Sequence, residues 1–327
     1  MSRELKRGLL LLVLATIALL SNRIAFAQDF PSRPISIIVP LPAGTVADLV
    51  ARALADDLAP IFKQPVTVEN RPSASQVIAS NALARSAPNG YTLMISAMPN
   101  VIAPSLLKTQ GFAGNTDFTA VSHILWITTV LSVSNSLPVT NLREFITLLR
   151  TNPGKYMYAS AGVGSPMHLY LEMFNYMAET QSVHVPYKSF QMIIPDVTSG
   201  AVSYSFLPMS ALQFAKAGKL KVLGAAGLKR DPTYPEIPTM DEEGLKGFEA
   251  PIHYLVTAPK GTPPDIVSKL NAAINAVLVR DSFSARFKAI GGITIAPPST
   301  PQNATEVLKR EDERFTALVR AGRVSLD

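Results

Sequence analysis

The chain has 327 residues, of which 47% are apolar and 17% charged, so disorder is excluded as its main state and there is enough chain for two ordinary cores. It has no cysteine, which excludes disulfides, thiolate zinc sites, iron–sulfur clusters, cysteine nucleophiles and a lipid-modified N-terminal cysteine. The formal charge of +6 would suit a polyanionic partner only if it sat on the folded part of the chain.

Much of that charge lies at the start. Arg3, Lys6 and Arg7 precede an apolar run over 9–20, and Ala25-Phe26-Ala27 follows as a small-x-small cleavage pattern. The run is about a dozen residues, short of the roughly 20 that span a bilayer as a helix. A signal peptide over 1–27, cleaved after Ala27, is expected. Its removal leaves 26 basic and 23 acidic side chains over 300 residues, a net charge of +3. No later run of 18 apolar residues follows, and no Lys/Arg cluster is interleaved with aromatics, so a nucleic-acid partner is not expected.

Strand-like and helix-like segments then alternate. The β-branched run over 35–39 ends at Pro40 and reads as a buried strand. A turn at Leu41-Pro42-Ala43-Gly44-Thr45 leads to helical spacing of Leu49, Ala53, Leu54 and Leu58 over 47–61. A strand over 66–69, a helix over 77–86 and a strand over 91–96 follow. Residues 119–133 form a long extended stretch, after which helices are expected over 142–150, 165–178, 191–199 and 210–217. Between them fall strands over 156–160, 183–186, 202–206 and 220–225. The Pro-rich segment 230–247 reads as a loop, followed by a strand over 250–257 and helices over 264–279, 282–289 and 301–321. This alternation predicts an α/β protein of two lobes, each a mostly parallel sheet flanked by helices, with a ligand cleft between them. The closing segment returns to the first lobe, giving lobe 1 as 28–126 plus 252–327 and lobe 2 as 127–251.

Two strand-to-helix turns carry the chemistry. Pro42, Ala43, Gly44 and Thr45 open one helix, with Thr45 placed as an ordinary N-cap or its turn as an anion site; Ser160-Ala161-Gly162-Val163-Gly164-Ser165 opens another, with Ser165 as N-cap and Pro166 at the first helical position. Free amides and a partial positive charge at helix N-termini suit a carboxylate or phosphate without a basic side chain. The histidines, His123, His168, His184 and His253, have no metal-ligand spacing, so surface or hydrogen-bonded core roles are expected and no metal site. Gly162-Val163-Gly164-Ser165-Pro166 is not a nucleophile elbow, neither glycine pattern is a dinucleotide fingerprint, and no catalytic set or cofactor is expected. Asp241-Glu242-Glu243 reads as a solvated face, and Trp126 and Tyr187 as cleft walls or core.

Phe30-Pro31-Ser32-Arg33-Pro34-Ile35, Pro42-Ala43-Gly44, Glu69-Asn70-Arg71-Pro72, Ala87-Pro88-Asn89-Gly90-Tyr91-Thr92-Leu93, Gly164-Ser165 with His168-Leu169, Val185-Pro186-Tyr187-Lys188 and Ala258-Pro259-Lys260-Gly261-Thr262-Pro263 occur in that order. Together they resemble the Bug-type proteins, extracytoplasmic solute receptors of tripartite tricarboxylate transporters. The resemblance implies a type II-like periplasmic binding fold that closes on a small organic acid and delivers it to one large and one small multi-span membrane subunit. It implies ligand contacts from Pro42, Ala43, Gly44 and Thr45, and from Ser160, Ala161, Gly162, Gly164 and Ser165. Ser96, Ala97 and Met98, with Tyr187, Lys188 and Ser189, complete the implied cleft. A monomeric, freely diffusing periplasmic protein is expected; signalling to a membrane sensor kinase is the alternative, and a secreted enzyme a remoter one. The chain departs from the family at Thr45-Val46, at Ser73-Ala74-Ser75-Gln76 where glycines are usual, at Ser189-Phe190, and at Phe206-Leu207-Pro208-Met209. Added bulk at these positions leads to an expected pocket that is smaller and more apolar, for a monocarboxylate or aromatic acid, or to lost transport.

Overall fold

The computed structural model describes residues 30–73, 76–98, 117–187, 192–288 and 290–320. The expected signal peptide, Lys188, Ser189 and Phe190 lie outside the described residues.

Strand β1 (Ile35–Val39) is buried nearly throughout because both of its faces are covered. Ile35, Ile37 and Val39 meet Val50, Leu54 and Leu58 of helix α1 (Val46–Phe62), whose apolar positions recur at three- and four-residue spacing. On the other face Ile38 meets Ala79 and Leu83 of α2 (Val77–Ala84). β1 pairs in parallel with β2 (Val66–Asn70) and β3 (Thr92–Met98). The sheet continues through β10 (Ile252–Pro259) to β4 (Phe118–Ile127) and ends at β11 (Ile293–Ile295), in the order β11-β4-β10-β3-β1-β2.

The second sheet has the order β7-β6-β8-β5-β9, from β5 (Thr129–Ser134), β6 (Met157–Ser160), β7 (Val183–Pro186), β8 (Tyr204–Pro208) and β9 (Leu220–Ala225). Helices α3 (Leu142–Thr151), α4 (Pro166–Met177), α5 (Ile193–Ser199) and α6 (Leu212–Lys216) belong to this part of the chain. α3 starts where the sequence marks it: the Asn141 side chain accepts from the Glu144 amide, and the Glu144 carboxylate accepts from the Thr140 amide at 2.7 Å.

The expectation of mostly parallel sheets holds for strand direction but not for pairing. β10 is antiparallel to both its neighbours, β11 to β4, and β5 to both β8 and β9. The cause is the path between sheets, for β4 runs through Thr128 into β5 and the chain returns from β9 into β10. β11 was not expected at all; at three residues it carries too little pattern to read. The expected strands at 202–206 and 250–257 each lie two residues further on, and the expected helix at 282–289 is the short α8 (Asp281–Ala285).

Helix α7 (Pro264–Leu278) covers the α1 face of the first sheet, and α9 (Pro301–Arg320) lies across the junction. In α9 Phe315 packs edge-on to Tyr170 of α4 at 5.2 Å. The Tyr170 hydroxyl donates to the Pro251 carbonyl at 2.6 Å and lies 3.1 Å from the Glu311 carboxyl of α9. The last helix thus ties the second sheet's α4 to the chain entering β10.

Candidate functional site

The first turn leaves the carboxyl end of β1 with Pro42, Ala43 and Gly44 exposed. Thr45 caps α1 by its backbone alone, since its hydroxyl turns back to donate to the Pro42 carbonyl at 2.8 Å. The compensating group is Asp48, in the first turn of the helix. Its carboxylate accepts from the Gly44 amide (2.9 Å), Asn70 Nδ2 (2.9 Å) and Arg52 Nε (3.1 Å), and Arg52 Nη2 lies 2.9 Å away. Burial would push this carboxyl up, but Arg52, the Gly44 amide and Asn70 outweigh it and hold it below the usual range. Asn70 also donates to the Leu41 carbonyl at 3.1 Å, so the Asn-Arg-Pro motif braces the turn. The first helix N-terminus therefore already faces a carboxylate, and it is not an empty positive pole.

The second turn leaves the carboxyl end of β6. Ser165 caps α4 as expected, its Oγ accepting from the His168 amide at 3.3 Å, and Pro166 opens the helix. Gly162 and Gly164 have φ of +109 and +73, where other residues are strained. The Gly164 amide donates to His168 Nδ1 at 3.2 Å, and the Ser165 amide to the Gly162 carbonyl at 3.1 Å. Ser160 Oγ donates to the Gly162 carbonyl (3.1 Å), accepts from the Gly162 amide (3.2 Å) and lies 2.6 Å from His184 Nε2. Beneath the turn, His168 and His184 stack at 4.0 Å and Tyr158 stacks on His184 at 4.9 Å. Burial, then the neighbouring His184, pushes His168 down to about 3; burial alone pushes His184 down to about 4. Both rings are neutral at neutral pH.

These bonds leave the Ser165 hydroxyl proton and the Ala161 amide without a partner among the described residues. α4 has no acidic residue in its first turn, in contrast to Asp48 of α1. The second turn is the one whose helix pole remains uncompensated.

The remaining expected site residues are placed as follows. Ser96 is fully buried and bonds Thr257 Oγ1 across β3 and β10 at 2.7 Å; Ala97 is buried beside it, and Met98 ends β3. The Tyr187 amide donates to the Ser160 carbonyl at 2.8 Å, which sets its backbone beside the second turn, while its hydroxyl donates to Asp196. Burial first, then Asp196, pushes that hydroxyl up to about 12. Trp126 stacks on His123 at 5.8 Å, and His123 Nε2 meets His253 Nδ1 at 3.1 Å. Phe206, Leu207 and Met209 are all buried, and Phe206 stacks on Phe248 at 5.8 Å.

Sequence reasoning missed Asp48 and the His168–His184 stack. Asp48 had a signal, an acid three residues after a threonine N-cap. The two histidines, 16 positions apart, had none. Among the described residues no cluster of His, Asp or Glu could hold a metal ion, and no helix is long and apolar enough to cross a membrane.

Two α/β sheets joined by crossing strands, with a helix opening at the carboxyl edge of each, define a periplasmic-binding-protein class of fold. The chain matches the tripartite tricarboxylate transporter family receptor model over residues 50–321 and belongs to that family, a family of solute-binding receptors. It is 33% identical over 297 residues to the protein BugT of Bordetella pertussis, covering 90% of each chain. The BugD periplasmic binding protein superposes with a TM-score of 0.77 at 30% identity, covering 90% of this chain and 99% of that one. A Rhodopseudomonas palustris protein solved with adipate gives 0.76 at 30%, covering 89% and 98%. MatC of the same organism, with bound malate, gives 0.78 at 28%, covering 89% and 100%.

Proposed function

We propose that this chain is a periplasmic receptor that captures a small carboxylate-bearing metabolite between two lobes, 28–126 with 252–327 and 127–251, and delivers it to a tripartite transporter in the membrane. The observation that carries the reading is the second turn. There α4 presents an uncompensated N-terminus, the Ser165 hydroxyl proton and the Ala161 amide, a donor set for one carboxylate oxygen pair without a cation. The first turn, closed on Asp48, supplies exposed Pro42, Ala43 and Gly44 as a close, neutral wall. Carboxylate capture is therefore asymmetric, with the charge at the second lobe and the rest of the ligand at the first. The relatives solved with adipate and malate agree with an organic acid ligand. Hinge closure then excludes water and shifts the population to a closed form that the membrane subunits recognise.

A thermal-shift screen of the exported protein against mono-, di- and tricarboxylates and aromatic acids tests this. A true ligand at 100 times its dissociation constant should stabilise the protein by about 3 kcal/mol. Ser165→Ala should weaken binding about tenfold, and Ser165→Trp should abolish the shift while the protein remains folded. A folded wild type that no acid stabilises would refute carboxylate capture.

A further inference from the structure

Away from the two turns, a groove of about 410 Å³ lies between α4 and α9, beside the Tyr170–Phe315 contact. That is the size of clefts that hold small ligands. Met173 and Leu318, nearly buried, and Met177, half-buried, give it an apolar lining, while Tyr176, 46% exposed, and Ala317 border it. Gly247, in the loop before β10, also faces it, and a Cβ there would meet nothing within 4 Å. The space is therefore open to solvent. Its α4 residues stand about 12 to 18 Å along the helix from Ser165, so the groove is separate from the second turn.

The cation in this lining is Arg314. Its Nη2 donates to the Glu249 carbonyl at 2.6 Å, a neutral acceptor, and no carboxylate pairs with it among the described residues. The neighbouring acids are engaged elsewhere. Glu311 turns inward to Tyr170, Glu313 pairs with Lys309 at 3.7 Å, and Asp241, which accepts from the Gly247 amide, pairs with Lys246 at 3.2 Å. The guanidinium charge thus meets no opposite charge in the groove.

The lining fits one kind of molecule. Two methionines, unbranched and polarizable, adapt to an alkyl chain, and a planar guanidinium takes two oxygens of one anionic head group. A bilayer surface is met by a cluster of several basic residues, whereas one guanidinium in an apolar groove suits one head group.

We propose that this groove is a second binding site, distinct from the cleft, for a free single-chain amphiphile with a phosphate head. The head pairs with Arg314, and the chain lies on Met173, Met177 and Leu318. The site does not depend on carboxylate capture by the two turns. Its occupant touches both α4 and α9.

Isothermal titration of the exported protein with decyl phosphate, octyl phosphate and inorganic phosphate, each below its micelle concentration, tests this. Decyl phosphate should bind once per chain and about five- to tenfold tighter than octyl phosphate, since two more methylenes leave water, and inorganic phosphate should not bind detectably. Ala317→Glu, which sets a carboxylate one turn from Arg314, should weaken decyl phosphate about tenfold, whereas Ala317→Lys, of similar bulk, should bind it at least as tightly as wild type. Arg314→Gln should also weaken it about tenfold. Position 317 is exposed on a helix, so the Glu and Lys pair keeps the test readable if Arg314→Gln does not fold. Ser165→Trp should leave this binding unchanged. No binding to the wild type, equal binding to Ala317→Glu and Ala317→Lys, or binding lost in Ser165→Trp overturns the proposal. Binding that arises only when residues 321–327 are removed would make that segment the occupant, and overturns it as well.

Discussion

Ser160 has one hydroxyl proton and two acceptor positions, and all three are engaged. The proton goes to the Gly162 carbonyl, so the 2.6 Å contact with His184 requires Nε2 of that ring to be the donor. Ser160 thus braces the second turn. His168 works through Gly164 in the same way, its Nδ1 accepting the amide at 3.2 Å. His184→Phe would keep the stack and lose the hydrogen bond, costing about 1 kcal/mol of folding stability. His168→Leu would leave the buried Gly164 amide unpaired and should cost more, about 2 kcal/mol. Urea unfolding of the two variants checks the order; equal stabilities, or no loss in either, would mean that the imidazoles do not hold the turn.

At the level of elements, the crossing between the sheets is held by a glycine. Thr128, between β4 and β5, donates its amide to the Gly292 carbonyl at 2.8 Å. Gly292 has φ +69, and a Cβ there would meet Met209 Cγ and the Thr128 carbonyl, each at 2.7 Å. Gly292→Ala must therefore shift backbone as well as a side chain, and a loss of about 2–4 kcal/mol is expected from strain and overpacking together. A melting temperature within a degree or so of wild type would show that the crossing can open without cost. This part of the molecule also shows what a sequence conveys. Ile35–Val39 and the Ser165 and Pro166 caps were legible because their signals lie within a few residues of one another. β11, the antiparallel place of β10 and the Met209–Gly292 contact were not, because each depends on residues some 80 to 170 positions apart. For the site the division is the same: both turns were legible, while the Asp48 bonds that close one and the histidines that brace the other needed the fold.

For the whole molecule, net charge says little about the ligand, whereas the buried neutral histidines make a stability prediction. Burial pushes His123 and His184 down to about 4 and His168 and His253 down to about 3. The unfolded chain protonates its histidines near pH 6.5. The native state resists, so stability is fully present above that pH and is lost as pH falls toward 4 and then 3. His168 and His253, nearly fully buried, should each remove roughly 1 to 1.5 kcal/mol per pH unit over that window. The half-buried His123 and His184 add less, because water screens them. Glu172 and Glu311 oppose this, since burial raises both, and stability from a raised carboxyl grows as pH falls. Two carboxyls stand against four histidines held at about 3 to 4, so the histidines are expected to set the sign between pH 6.5 and 5. Urea midpoints should fall steadily from pH 7 to 5, with about two to four protons taken up on unfolding at the lower end. His168→Gln and His253→Gln should each flatten the slope by about one proton. A midpoint that stays level from pH 7 to 5 in the wild type would show that these imidazoles are not held neutral by the fold, and the neutral brace assigned to the second turn would fall with that result.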